Sequence, residues 1–171
     1  MINVIKEDIG VFISLYFHVL TISVVMITKT CGYGIRSVVY LATKLEENRN
    51  VSIQEIATVL DIPQHFLAKI LQDLVRKKVV RSAKGPNGGF FIKKDVLQMP
   101  VVELLELIDG DKYRTRCFMG MEECSSENPC PLHQDFSVFR TGIIEKFTSR
   151  TINDLREGVA EGHSFLHYGL N

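Results

Sequence analysis

The chain has 171 residues, 46% of them apolar, which is enough for one compact domain with an appended element and too apolar for a disordered chain. Twenty cationic and twenty anionic side chains cancel, but unevenly along the sequence. Residues 64–94 hold eight cations against one anion (net +7) and residues 95–127 hold three against eight (net −5), which points to a nucleic-acid-binding segment joined to a different element.

Residues 9–28 contain no Lys, Arg, Asp or Glu, a length that could span a bilayer. The stretch is nevertheless rich in β-branched residues, carries Ser14, His18, Thr21 and Ser23, and has little charge bias at its ends. Residues 1–25 are therefore read as a mis-assigned upstream start ahead of Met26 or as an extension; a packed element and a membrane anchor are the alternatives. Lys6, Glu7 and Asp8 before the first apolar run do not form the positive region of a cleavable signal, so a cytoplasmic location is expected.

Residues 33–48 have helical spacing in Ile35, Val38, Val39, Leu41, Ala42 and Leu45. Ser52 and Glu55 have the spacing of a capping box, which opens a short second helix with Ile56, Val59 and Leu60 inward. Pro63 suits the first turn of a third helix running to about Lys78. Leu67, Ile70, Leu71, Leu74 and Val75 form its apolar face, with His65, Ala68, Lys69, Gln72 and Arg76 opposite. Two helices joined by a tight turn, the second with a cationic outer face, predict a helix-turn-helix.

Two short β-type runs follow, residues 79–82 and 90–92, separated by Lys84-Gly85-Pro86-Asn87-Gly88-Gly89. A hairpin directly after a recognition helix predicts a wing. A nucleotide-binding glycine loop is the weaker alternative, because the Gly-Lys-Ser/Thr ending is missing and a strand follows. Gln64, His65 and Lys69 are the candidate base readers. Ser52, Lys84 and Gly85 are candidates for backbone or minor-groove contact.

Residues 101–108 predict a short apolar helix ending at Gly110. Next comes Cys117-x6-Cys124-x5-Cys130-x2-His133, a set able to hold a metal centre, because clustered cysteines in a reducing compartment bind metal or carry redox chemistry. From residue 132 to about 149, Leu132, Phe136, Phe139, Ile143, Ile144 and Phe147 alternate in steps of three and four. So long an apolar stripe in so small a chain predicts packing against a second copy. Residues 151–155 start one more helical turn. No nucleophile has an assignable base, and His163 and His167 lack the glutamate of a zinc-protease motif, so no enzyme is expected.

The run from Phe66 through Val79-Val80-Arg81-Ser82-Ala83-Lys84-Gly85-Pro86-Asn87-Gly88-Gly89-Phe90, with Tyr33-Gly34-Ile35 and residues 151–155, resembles the Rrf-type winged-helix regulators over residues 28–155. The resemblance implies a mainly α fold with a small β-wing and a long dimerisation helix. It also implies a homodimer on a palindromic DNA operator, acting as a repressor, with no small-molecule substrate and no membrane. The expected organisation is a winged-helix domain over residues 26–98, a cluster loop and dimer helix over 99–160, and a tail over 161–171. In cluster-binding members three cysteines and a histidine ligate iron, which maps onto Cys117, Cys124, Cys130 and His133. The implied cofactor is an iron–sulphur cluster of the two-iron type, with a four-iron cluster or zinc as alternatives, sensing redox, iron–sulphur or nitric-oxide status. A cluster-free regulator controlled by a partner protein is the competing reading. Three departures stand out: the wing's usual arginine is Lys84, a glutamate of the recognition helix is Ala68, and the first cysteine gap is one residue longer.

Overall fold

The first helix starts earlier than its apolar periodicity indicates, because its cap lies outside the apolar stripe. The Thr28 hydroxyl accepts from the Cys31 amide at 3.1 Å, and α1 spans Lys29–Thr43 before a 3-10 turn at Leu45–Glu47. Thr28 is itself held by Asp109, which accepts from its amide at 2.9 Å and from its hydroxyl at 2.6 Å. The computed structural model describes residues 27–117, 119–122 and 124–167, so the expectations for residues 1–25 lie outside it.

The second helix, α2, is Ile53–Leu60, with the Ser52 hydroxyl accepting from the Glu55 amide at 3.1 Å. Only half of the expected capping box forms. The Glu55 carboxylate turns instead to Arg49, whose two terminal nitrogens each donate at 2.7 Å, and to the Tyr40 hydroxyl at 2.9 Å. A bidentate guanidinium is a stronger partner than one amide. Ile56 and Leu60 point inward as expected, but Val59 is exposed. Asp61 makes the turn in left-handed geometry (φ 49°), and Pro63 caps α3, Gln64–Arg76. That helix ends short of Lys78, which adopts φ 65° and redirects the chain so that the amides of Val79 and Val80 both reach the Leu74 carbonyl.

Strands β1, Arg81–Ala83, and β2, Gly89–Phe91, pair antiparallel with Ser82 opposite Phe90. A third segment joins them. The Val51 amide donates to the Phe90 carbonyl at 2.9 Å and the Phe90 amide to the Val51 carbonyl at 2.8 Å. At Gly89 the backbones come so close that a Cβ would lie 2.6 Å from the Val51 oxygen.

After a 3-10 turn at Lys94–Gln98 come α4, Val101–Asp109, the single turn α5, Lys112–Thr115, the long α6, His133–Ser149, and α7, Ile152–Ala160. The complete capping box of the fold opens α7: the Thr151 hydroxyl accepts from the Asp154 amide at 3.2 Å, and the Thr151 amide donates to the Asp154 carboxylate at 2.8 Å. This pairing extends the expected single turn to nine residues. One apolar core joins α1, α2, α3, α4 and α7 through Val38, Leu41, Ile56, Leu60, Leu71, Leu104 and Ile152, among others. A smaller cluster of Cys31, Val102, Leu105 and Tyr113 also receives Ile144 and Phe147 of α6. Among the described residues no helix is long and apolar enough to cross a membrane.

Two measurements check this packing. Gly89→Ala forces a methyl group against the Val51 backbone and should cost roughly 1–3 kcal/mol of stability in urea unfolding. An unchanged midpoint would mean that the wing is not docked on Val51. Arg49 holds the Glu55 carboxyl down at about 2, so the pair's contribution is present above the ordinary carboxylate range and fades as pH falls through that value. Glu55→Gln should therefore lower stability at pH 7 by about 0.5–1 kcal/mol, the scale of a partly exposed ion pair, and the difference should vanish near pH 2.

Candidate nucleic-acid interface and metal centre

Gln64, His65 and Lys69 stand exposed on the first two turns of α3, the helix that follows the turn of the helix-turn-helix. His65 and Lys69 lie opposite Leu67, Ile70, Leu71 and Leu74, which are buried and fix the rotation of the helix. Ser52 is half-buried and its oxygen already caps α2. Lys84 and Gly85 lie exposed at the wing tip, where Gly85 adopts φ 109°, a conformation that disfavours side chains. Sequence reasoning missed Asn50. Its side-chain amide donates to the Asn87 carbonyl at 2.9 Å and ties the tip of the wing to the residues just before α2. Its only sequence signal was an amide residue beside the cap at Ser52.

The second group of residues gathers between α5 and α6. The Sγ atoms of Cys117, Cys124 and Cys130 all lie within 4.8 Å of one another. Cys117 and Cys130 are buried and Cys124 is half-buried. His133 is the first residue of α6, and its Nδ1 lies 3.1 Å from Cys124 Sγ. Short local bonds shape the approach: the His133 amide donates to the Cys130 carbonyl at 2.9 Å, and the Asn128 amide to the Ser125 hydroxyl at 3.1 Å. Burial pushes the Cys117 thiol up, but the backbone amides of Met121 and Met119 and the thiols of Cys130 and Cys124 outweigh it, and the group titrates below its ordinary value. Burial raises Cys130, helped by its hydrogen bond with Cys124. Two thiolates on one tetrahedral metal stand about 3.8 Å apart, so the cysteines need little movement to share an ion or a cluster.

All four cysteines are free thiols, and Cys31 stands apart from the other three. It is fully buried at the head of α1 in the smaller apolar cluster, and burial together with the nearby Asp109 pushes its thiol up to about 12. That environment suits an inert structural thiol.

Residues 27–158 match the family described as "Rrf2: Iron-dependent Transcriptional regulator". A putative HTH-type transcriptional regulator of Aquifex aeolicus is 36% identical over 139 residues, covering 80% of this chain and 94% of the relative. A putative rrf2-like HTH-type regulator of Rhodobacter capsulatus is 28% identical, covering 76% and 91%. Among solved structures, the global cysteine regulator CymR of B. subtilis superposes with a TM-score of 0.61 at 21% identity, over 77% of this chain and 95% of that one. The regulator IscR of T. potens superposes with a TM-score of 0.62 at 18% identity, over 81% and 90%. At those identities the superpositions speak for a shared fold. With the family match spanning most of the residues described above, the chain belongs to the Rrf2 family of transcriptional regulators.

Proposed function

We propose that the chain is a homodimeric DNA-binding repressor whose grip on its operator depends on an iron–sulphur cluster held by Cys117, Cys124, Cys130 and His133. The observation that carries this reading is the convergence of three thiols within 4.8 Å, with an imidazole 3.1 Å from one of them, in a segment directly beyond a winged helix. Three thiolates and one imidazole are a donor set that suits iron–sulphur centres, and the long gaps between the cysteines depart from the close pairs favoured by structural zinc. Bound there, a cluster would supply an oxidation-sensitive cross-link between the loop and the start of α6.

The chain's own residues do the rest. His133 is both a candidate ligand and the first residue of α6, so a change at the thiols acts on that helix directly. Ile144 and Phe147 of α6 pack with Cys31, Val102, Leu105 and Tyr113, which connects the helix to α1, α4 and α5. No residue of α6 is fully buried, and nearer its start Val138 and Phe139 are 73% and 66% exposed. An apolar helix face left open in this way supports pairing with a second copy, which would set the spacing of the two α3 helices on a palindromic site. In this reading residues 26–98 bind DNA, and residues 99–160 sense and dimerise. Gln64, His65 and Lys69 read bases, while Ser52, Lys84 and Gly85 meet the backbone or the minor groove.

Protein purified without oxygen is expected to be coloured and to contain iron and acid-labile sulphide in similar amounts. Alanine at Cys117, Cys124 or Cys130 should bleach it, while His133→Ala should leave a more labile colour because water can substitute for a neutral ligand. Stoichiometric zinc without iron, or a colourless protein whose triple cysteine variant binds DNA like the parent, would sink the cluster and favour control by a partner protein. DNA binding is tested separately. Affinity for a promoter duplex should fall by on the order of 10³ between about 50 and about 200 mM salt, and Lys84→Ala should reduce the slope of log K against log salt by about one. Salt-independent affinity would remove the nucleic-acid reading itself.

A further inference from the structure

Phe66 occupies the third position of α3, between two candidate base readers, and is 51% exposed. Its exposure is not a loose end of the core. Leu67, Ile70, Leu71 and Leu74 close that side of the helix, and Phe66 takes no part in either apolar cluster. The helix places it firmly, because the Phe66 amide donates to the Pro63 carbonyl at 3.0 Å and the next side chain is fully buried. The His65 ring packs against it, centroid to centroid at 4.1 Å and tilted by 40°, so the two rings form one ordered unit beside exposed Lys69. This half-bare aromatic ring carries no charge although it lies in a segment of net charge +7. In the major groove of DNA one apolar group projects from the base edges, the C5 methyl of thymine.

We propose that Phe66 is a specificity-determining residue that packs against a thymine methyl group in the major groove, with His65 holding its ring in place. The inference rests on α3 being the recognition helix of the proposed DNA-binding function. The wing cations hold the phosphates and give no preference among bases. The Phe66 ring does, since cytosine and purines present polar edges where thymine presents a methyl.

The test uses the full chain and a duplex selected from a random library by the protein itself. Each thymine of the selected site is replaced in turn by deoxyuridine, which removes the methyl group and leaves base pairing intact. At one position in each half-site, affinity should fall about fourfold, the worth of one buried methyl group. Phe66→Ala should weaken binding to the thymine duplex and abolish the difference between thymine and deoxyuridine at that position, while keeping the salt dependence of the parent. Phe66→Gln should behave in the same way, and it guards against a folding defect peculiar to alanine. If every deoxyuridine duplex binds as tightly as its parent while binding remains salt-dependent, the inference fails and the DNA-binding reading survives. The inference fails equally if the deoxyuridine penalty persists in the Phe66 variants. Absence of binding to any duplex would overturn both.

Discussion

The pair of backbone hydrogen bonds between Val51 and Phe90 makes the helix-turn-helix and the wing one body. Without it, β1 and β2 would be a two-stranded hairpin of three residues per strand, a unit that is marginal in water. With it, the strand pair is continued by the residue that leads into the cap of α2, so the wing's position is defined relative to α2 and α3. The requirement falls on Gly89, where the two backbones approach too closely for any side chain. Asn50 adds a second tie at the tip. The surface proposed for DNA, α3 with the wing, needs this rigidity, because both must fit grooves whose separation is fixed.

Much of this was legible in the sequence because its signals are local. The spacing of Leu67, Ile70, Leu71 and Leu74 set the face of α3 correctly, and the glycines around Asn87 marked the wing. The cysteine spacing identified three side chains that the fold does bring together. What was not legible depended on competition between distant partners. Glu55 has the right position for a capping box, but Arg49 and Tyr40 outbid the amide. The start of α1 is set by Thr28, whose partner Asp109 lies 81 residues away. Asp154 carried the complete box, but a single pattern cannot tell which of two similar boxes will close.

The described contacts also connect the thiol group to α3. Tyr113 of α5 donates to Glu106 of α4 at 2.8 Å, four residues before Cys117. At the next residue of α4, Lys77, just beyond the end of α3, donates to the Leu107 carbonyl as well as to Asp73. The last turn of α3 is thus fastened to the element that leads into the cysteine loop. Coupling between two sites requires packed, discrete contacts of this kind rather than proximity alone.

The bridge between Pro100 and Thr151 gives the fold a further property. The Val101 amide donates to the Arg150 carbonyl at 2.8 Å and the Ile152 amide to the Met99 carbonyl at 3.0 Å, so the fifty residues from 101 to 150 leave and re-enter the molecule at one point. A closed loop tolerates changes in length, since even doubling it costs only about 0.6 kcal/mol of closure entropy. The additional residue between Cys117 and Cys124 is therefore nearly free for folding, and its effect falls on the geometry of the thiols and of His133 beside them. Single-residue changes in the length of the cysteine loop leave this pairing, and with it the packing of residues 27–98, in place.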